Sequence, residues 1–317
     1  MDYNKIVFDV DDNSIAMPLF GEQDKNIKHL EKVLNLKINA RGNILYIEGK
    51  EAQRAKKVIS SLIAIIKQKK IIDNDEVDAA IRFSSVANSE KITDIVINTP
   101  KKKILARSVT QTKFIAALRS NILTFGVGPA GTGKTYLAVA DAVEKLISGK
   151  VEKIILSRPA VEAGEQLGFL PGDLKEKIDP FLRPLYDALG DCINRDKVSK
   201  LIEKEKIEIA PLAFMRGRTL SYSYIILDEA QNATPVQMKM FLTRLGKNSQ
   251  MVVTGDLTQI DLPKSQVSGL YEALEITKNI NNINQIFFNE KDVVRHSLVS
   301  EIVNSYNKKG LEKNKYK

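Results

Sequence analysis

The chain has 317 residues, 43% of them hydrophobic, with 48 Lys and Arg against 39 Asp and Glu and a formal net charge of +9. That length suits two units or one with a sizeable appendage, and the apolar share excludes disorder over most of it. Cys192 is the only cysteine and His29 and His296 the only histidines, which excludes an internal disulfide and a His/Cys zinc site and fits a reducing cytosol.

The pI near 9.3 favours an anionic partner. Met1-Asp2-Tyr3-Asn4 is not a basic segment leading into an apolar run, so no signal peptide is expected. The longest oily run, Leu62 to Ile66, is far too short to span a membrane.

Residues 1–83 read as a small α/β unit. Ile6, Phe8 and Val10 alternate as on a strand, and Ile27, Leu30, Val33 and Leu34 follow at helical spacing. Leu36 to Ile38, the turn Arg41-Gly42-Asn43 and Ile44 to Ile47 predict a hairpin, and Ala55, Val58, Ile59, Leu62 and Ile66 a further helix. The polar stretch 84–104, ending in Thr99-Pro100-Lys101-Lys102-Lys103, is expected to be a linker whose lysines form a solvated turn. Over 105–306, oily runs alternate with helical patterns: Ile122 to Val127, Lys153 to Leu156, Ile207 to Ile209, Tyr224 to Leu227 and Met251 to Val253. Such short runs suit strands of a parallel sheet buried on both faces, and predict a doubly wound α/β domain. Residues 307–317 form a lysine-rich tail.

The first predicted strand of this domain runs into Gly128-Pro129-Ala130-Gly131-Thr132-Gly133-Lys134-Thr135, a full P-loop pattern followed by an amphipathic helix. Its glycines let successive N–H groups point at phosphate oxygens at the positive end of the helix dipole. Lys134 is placed for the β- and γ-phosphates and the Thr135 hydroxyl for magnesium. Tyr224 to Leu227 end in Asp228-Glu229, where a buried strand delivers ligands beside the loop. Asp228 is the expected magnesium ligand, and Glu229 the general base on water, which argues for hydrolysis over transfer to another acceptor. Val252 to Asp256 end another strand, with Gln259 as candidate sensor of the terminal phosphate and Asp256 behind it.

These motifs, together with Ser157-Arg158-Pro159-Ala160-Val161-Glu162-Ala163-Gly164-Glu165, Pro211-Leu212-Ala213-Phe214-Met215-Arg216-Gly217-Arg218-Thr219-Leu220 and Asp228-Glu229-Ala230-Gln231-Asn232, closely resemble the PhoH-like ATPases from Val109 to about Tyr306. The resemblance implies a RecA-like P-loop NTPase sheet with helices on both faces, magnesium-dependent ATP hydrolysis, a cytoplasmic location, a link to RNA metabolism, a ring-like homo-oligomer and an RNA-processing endoribonuclease as partner. It also implies a KH-like N-terminal unit, but Gly21-Glu22-Gln23-Asp24 lacks the second glycine of a GXXG loop where the first helix begins.

Gln111 stands where helicase-like motors set a glutamine against adenine, or else faces solvent. Arg158, Arg216 and Arg218 fit three roles alike: a nucleic-acid phosphate ligand, a structural ion pair or a contact to a neighbouring subunit. Arg295 is either an arginine finger or a surface residue of a terminal helix. The roughly two hundred residues after the linker suffice for one motor lobe, so an adjacent copy is expected to close the nucleotide site. Two functions are expected on these grounds: an ATPase coupled to RNA remodelling, or a slow nucleotide-switched scaffold that recruits a nuclease.

Overall fold

The computed structural model describes residues 5–10, 12–69, 72–84, 96–159, 174–263, 265–294 and residue 302. The N-terminal unit runs β1 (Lys5–Asp9), α1 (Asn13–Phe20), α2 (Lys25–Leu34), β2 (Lys37–Arg41), β3 (Ile44–Glu48), α3 (Ala52–Lys69) and α4 (Asn74–Ser84). Its sheet is antiparallel in the order β1-β3-β2, with β3 central because Leu45 and Ile47 are fully buried. Apolar residues at helical spacing on α2 and α3, among them Leu30, Ile59 and Leu62, join them in one core. Gly21-Glu22-Gln23-Asp24 therefore links α1 to α2 and opens the second helix, not the first. Helix α1 escapes a periodicity reading because it is eight residues long and carries Pro18; Asp12 caps it by accepting from the Ser14 N–H at 2.8 Å.

Within the stretch expected to link the two units, β4 (Val96–Asn98) and β5 (Lys103–Leu105) pair as a hairpin around the lysine turn. The larger unit then runs through α5 (Val109–Ser120), β6 (Leu123–Val127), α6 (Lys134–Ile147), β7 (Lys153–Arg158), α7 (Leu174–Cys192), α8 (Arg195–Glu203), β8 (Ile207–Pro211), β9 (Ser223–Leu227), α9 (Pro235–Leu242), β10 (Gln250–Gly255), α10 (Gly269–Thr277) and β11 (Ile283–Phe287). Six strands form a parallel sheet in the order β11-β6-β10-β9-β7-β8. All five expected strands lie in it. The sixth, β11, is a partly buried edge with Asn284 and Gln285 at its centre, which breaks the oily signature.

Alternate residues of the strands feed two cores, as burial on both faces requires. Ile154, Leu156, Tyr224, Ile226 and Val252 pack with Phe114 of α5 and Leu137 and Val139 of α6. Ile155, Ile225, Leu227 and Val253 pack on the other face with Met238 and Phe241 of α9 and Leu270 of α10. The molecule is thus an α/β P-loop NTPase domain with helices on both faces of its sheet, preceded by a small α/β unit. No described helix is long and apolar enough to cross a membrane.

Candidate nucleotide site

The loop between β6 and α6 is shaped by what its glycines permit. Gly128 has φ +145°, and a Cβ there would stand 2.4 Å from the Phe288 carbonyl oxygen, so only glycine fits against the residue that follows β11. Gly131 and Gly133 have φ of +79° and +80°, the left-handed turns that let the loop curl back onto the start of α6. The Gly128 N–H donates to the Gly255 carbonyl at the end of β10, and the Val294 N–H to that of Gly131. The loop is held from both sides.

Lys134 opens α6 and is buried, its ammonium donating to the carbonyls of Gly128 at 2.6 Å and Pro129 at 2.7 Å. Burial lowers its pKa, opposed by the charges of Asp256, Asp228 and Glu229. A cation held in a concave loop among three carboxylates, its donors resting on the Gly128 and Pro129 carbonyls and the Thr132 hydroxyl, suits a polyanion that takes their place. Thr135 follows on the same turn, and its hydroxyl donates to Asp228 Oδ1 at 2.6 Å; Thr254, at the end of β10, donates to the same oxygen at 2.8 Å. The sheet order explains the meeting. Strand β10 lies between β6 and β9, so the loop reaches one side of Asp228 and Thr254 the other.

Asp228 Oδ1 and Thr135 Oγ1 are two hard oxygens side by side. Among the described residues no three His, Cys, Asp or Glu side chains converge on a metal site. That donor set suits magnesium, which keeps several waters and takes one or two carboxylates plus substrate phosphates.

Glu229 sits at φ +51° and ψ +39°, a left-handed conformation that costs a non-glycine residue free energy and turns its side chain away from that of Asp228. Its carboxylate is held at both ends: Oε1 pairs with Arg158 at 3.1 Å and Oε2 accepts from Gln231 Nε2 at 2.5 Å. Thr135, Asp228, Glu229 and Arg158 line a single open cleft of about 640 Å³, which α7 residues such as Asp187 and Asp191 also line.

Gln231 is a residue to which the sequence reading gives no role. It is buried, donates to both the Glu229 carboxylate and the Gln259 carbonyl (3.1 Å), and accepts from the Asp256 N–H at 3.0 Å. A glutamine two residues past paired acids was the available signal. Gln259, the expected sensor, is exposed and donates its amide to Asp256 Oδ2 at 2.9 Å.

Gln111 is buried, which removes the solvent-facing alternative. Its Oε1 accepts from the Arg107 N–H at 2.6 Å and its Nε2 donates to the Thr132 carbonyl at 3.0 Å, so it braces the loop from behind. It lines a second recess of about 380 Å³ with Arg107, Gly133 and Tyr136, large enough for a purine base. Arg218 makes a bidentate pair with Glu208 at 2.6 and 2.8 Å, the ion-pair arrangement among its three expected roles; Arg216 is exposed. Arg295 lies outside the described residues. Cys192 is buried and its thiol is pushed up to about 12 by desolvation, so it is no nucleophile near neutral pH.

Known proteins align with this chain over most of its length. The sequence profile of the PhoH-like protein family matches residues 103–307. The PhoH-like protein of Bacillus subtilis (strain 168) is 52% identical over 300 residues, covering 92% of this chain and 94% of that protein. That of Mycobacterium tuberculosis (strain ATCC 25618 / H37Rv) is 47% identical over 298 residues, covering 92% and 85%. Protein PhoH of Escherichia coli (strain K12) is 45% identical over 205 residues, covering 64% of this chain and 58% of that protein.

Proposed function

The chain belongs to the PhoH-like protein family, and on that premise we propose that it hydrolyses ATP with magnesium and couples the turnover to binding or remodelling of RNA. The observation that carries the hydrolytic reading is the meeting of the P-loop hydroxyl of Thr135 with Asp228 in the same cleft as Glu229. Lys134 binds the β- and γ-phosphates in exchange for the Gly128 and Pro129 carbonyls, while the loop N–H groups cradle their oxygens. Thr135 and Asp228 hold magnesium, which supplies neutralisation of phosphate charge. Glu229 orients a water in line with the γ-phosphorus and takes its proton as the new P–O bond forms. The bond from that phosphorus to the bridging oxygen breaks, leaving ADP and phosphate. The recess beside Gln111 and Tyr136 receives the purine base.

Support for RNA is electrostatic: the chain carries an excess of nine positive charges, which favours an anionic partner. Steady-state ATP hydrolysis with magnesium, with and without single-stranded RNA, tests the coupling at low and moderate salt. RNA is expected to raise the rate, with the stimulation falling steeply as salt rises, because released counterions drive such binding. Equal rates with and without RNA at both salts would remove the coupling and leave a nucleotide-switched scaffold.

A further inference from the structure

Arg158 is a cation in the nucleotide cleft for which the hydrolytic steps have no use. It ends β7, the strand next to β9, and among the described residues its guanidinium meets two partners. One nitrogen donates to the Phe181 carbonyl on α7 at 2.9 Å, and another pairs with Glu229 Oε1 at 3.1 Å. The first bond anchors the group to the wall of the cleft. The second places it on the carboxylate that must be free to accept a proton from water. Its side chain is 21% exposed and that of Glu229 is 36% exposed, so the pair opens on the cleft that Thr135 and Asp228 also line.

Held at 3.1 Å, the guanidinium occupies one oxygen of the carboxylate that is to meet the water. The pair is therefore an arrangement of the protein awaiting substrate. A terminal phosphate arriving beside Thr135 and Asp228 brings a doubly charged group with three acceptor oxygens, to which arginine binds more strongly and with forked geometry. We propose that Arg158 is a ligand of the terminal phosphate of the bound nucleoside triphosphate, and that Glu229 holds it in reserve until that phosphate displaces it. Transfer of the guanidinium then does two things together: it neutralises the terminal phosphate and releases Glu229 toward the water. A diphosphate has no group at that position, so in its presence the pair stays closed. The inference rests on the nucleotide reading of this cleft.

The test is equilibrium binding, by calorimetry, of a non-hydrolysable ATP analogue and, separately, ADP to the full chain in magnesium. Arg158→Ala is expected to weaken analogue binding by about tenfold to 100-fold, the worth of one charge-assisted phosphate contact, and to leave ADP within about twofold. Arg158→Lys keeps the charge but not the fork, so it should show the same selectivity with a smaller loss, and it serves if the alanine variant does not fold. Glu229→Gln removes the competing partner and is expected to tighten the analogue several-fold. In the double variant Arg158→Ala/Glu229→Gln that gain should shrink, giving a coupling of about threefold or more. Equal loss of both nucleotides on Arg158→Ala, or no loss of either, overturns the inference, as does a Glu229→Gln gain that persists undiminished without the arginine. If the unsubstituted chain binds neither nucleotide, the nucleotide reading itself fails; if it binds both and Arg158 discriminates nothing, only the present inference fails.

Discussion

At the scale of single residues, the site is organised around two acids with different surroundings. Asp228 accepts from two hydroxyls, Thr135 and Thr254, on one oxygen, which holds its carboxylate in place. Glu229 is held by an arginine and an amide, partners that a substrate can displace or use to aim it. Gln231 is the fixed half of that pair: it is buried, and its other bonds go to the backbone of Asp256 and Gln259. It acts through Glu229 as a positioning residue. Gln231→Ala should therefore lower kcat by roughly tenfold or more, a part of the 10²–10⁴ that a general base supplies, with ATP affinity within about threefold. Steady-state kinetics beside direct nucleotide binding checks this. A fall in affinity as large as the fall in kcat would assign Gln231 a purely structural role.

At the scale of elements, ion pairs and buried hydrogen bonds stitch neighbouring strands and helices. Asp141 of α6 accepts from the Tyr224 hydroxyl of β9 at 2.7 Å and pairs with Lys145 at 3.0 Å, tying the helix that follows the P-loop to the strand that leads into Asp228. On the outer edge, Glu208 of β8 binds Arg218 through two bonds and Lys153 of β7 at 3.1 Å. Hydrogen bonding by Arg218 is the chief reason that the Glu208 carboxyl titrates below its ordinary value of 4.5. Because the folded state holds the charged form, the stabilisation is fully present above 4.5 and is lost as pH falls through the lower folded value. Glu208→Gln should cost about 1 kcal/mol at neutral pH, discounted for partial exposure, and flatten that part of the acid limb. Urea unfolding from pH 7 down to about 3 measures both; an unchanged acid limb would discharge Glu208 from this role.

The same scale shows what the amino-acid sequence makes legible. Strands such as Tyr224 to Leu227 announce themselves because both faces are buried, and Gly128 to Thr135 because backbone geometry demands glycine at fixed offsets. Edge strand β11 does not, since it is only partly buried and polar at its centre, nor do the short helices α1 and α10, whose buried residues span about two turns. The site divides in the same way. Lys134, Thr135, Asp228 and Glu229 follow from motif chemistry. The Gln231 bridge, the Arg158–Glu229 pair and the brace from Gln111 to Thr132 depend on which strands are neighbours, and spacing along the chain carries no record of that.

At the scale of the whole molecule, the sheet order does the functional work. Placing β10 between the loop strand β6 and the acid strand β9 brings Thr254 and Asp256 to the cleft from the middle, while β7 brings Arg158 from the far side. The N-terminal unit meets this assembly from behind. Asp75 of α4 pairs with Arg107 at 2.8 Å, the Arg107 N–H donates to Gln111, and Gln111 donates to the P-loop carbonyl of Thr132. A continuous path of bonds thus joins the small unit to the phosphate cradle. On the proposed function, this cleft hydrolyses a nucleoside triphosphate with Glu229 as base. The most direct measurement is single-turnover release of phosphate from magnesium-ATP by the unsubstituted chain and by Glu229→Gln, with ATP binding followed in the same samples. The expected result is retained or tighter ATP binding with phosphate release slowed by about 10²-fold or more. Release at a near-normal rate from Glu229→Gln would contradict the account and pass the base to another group in the cleft.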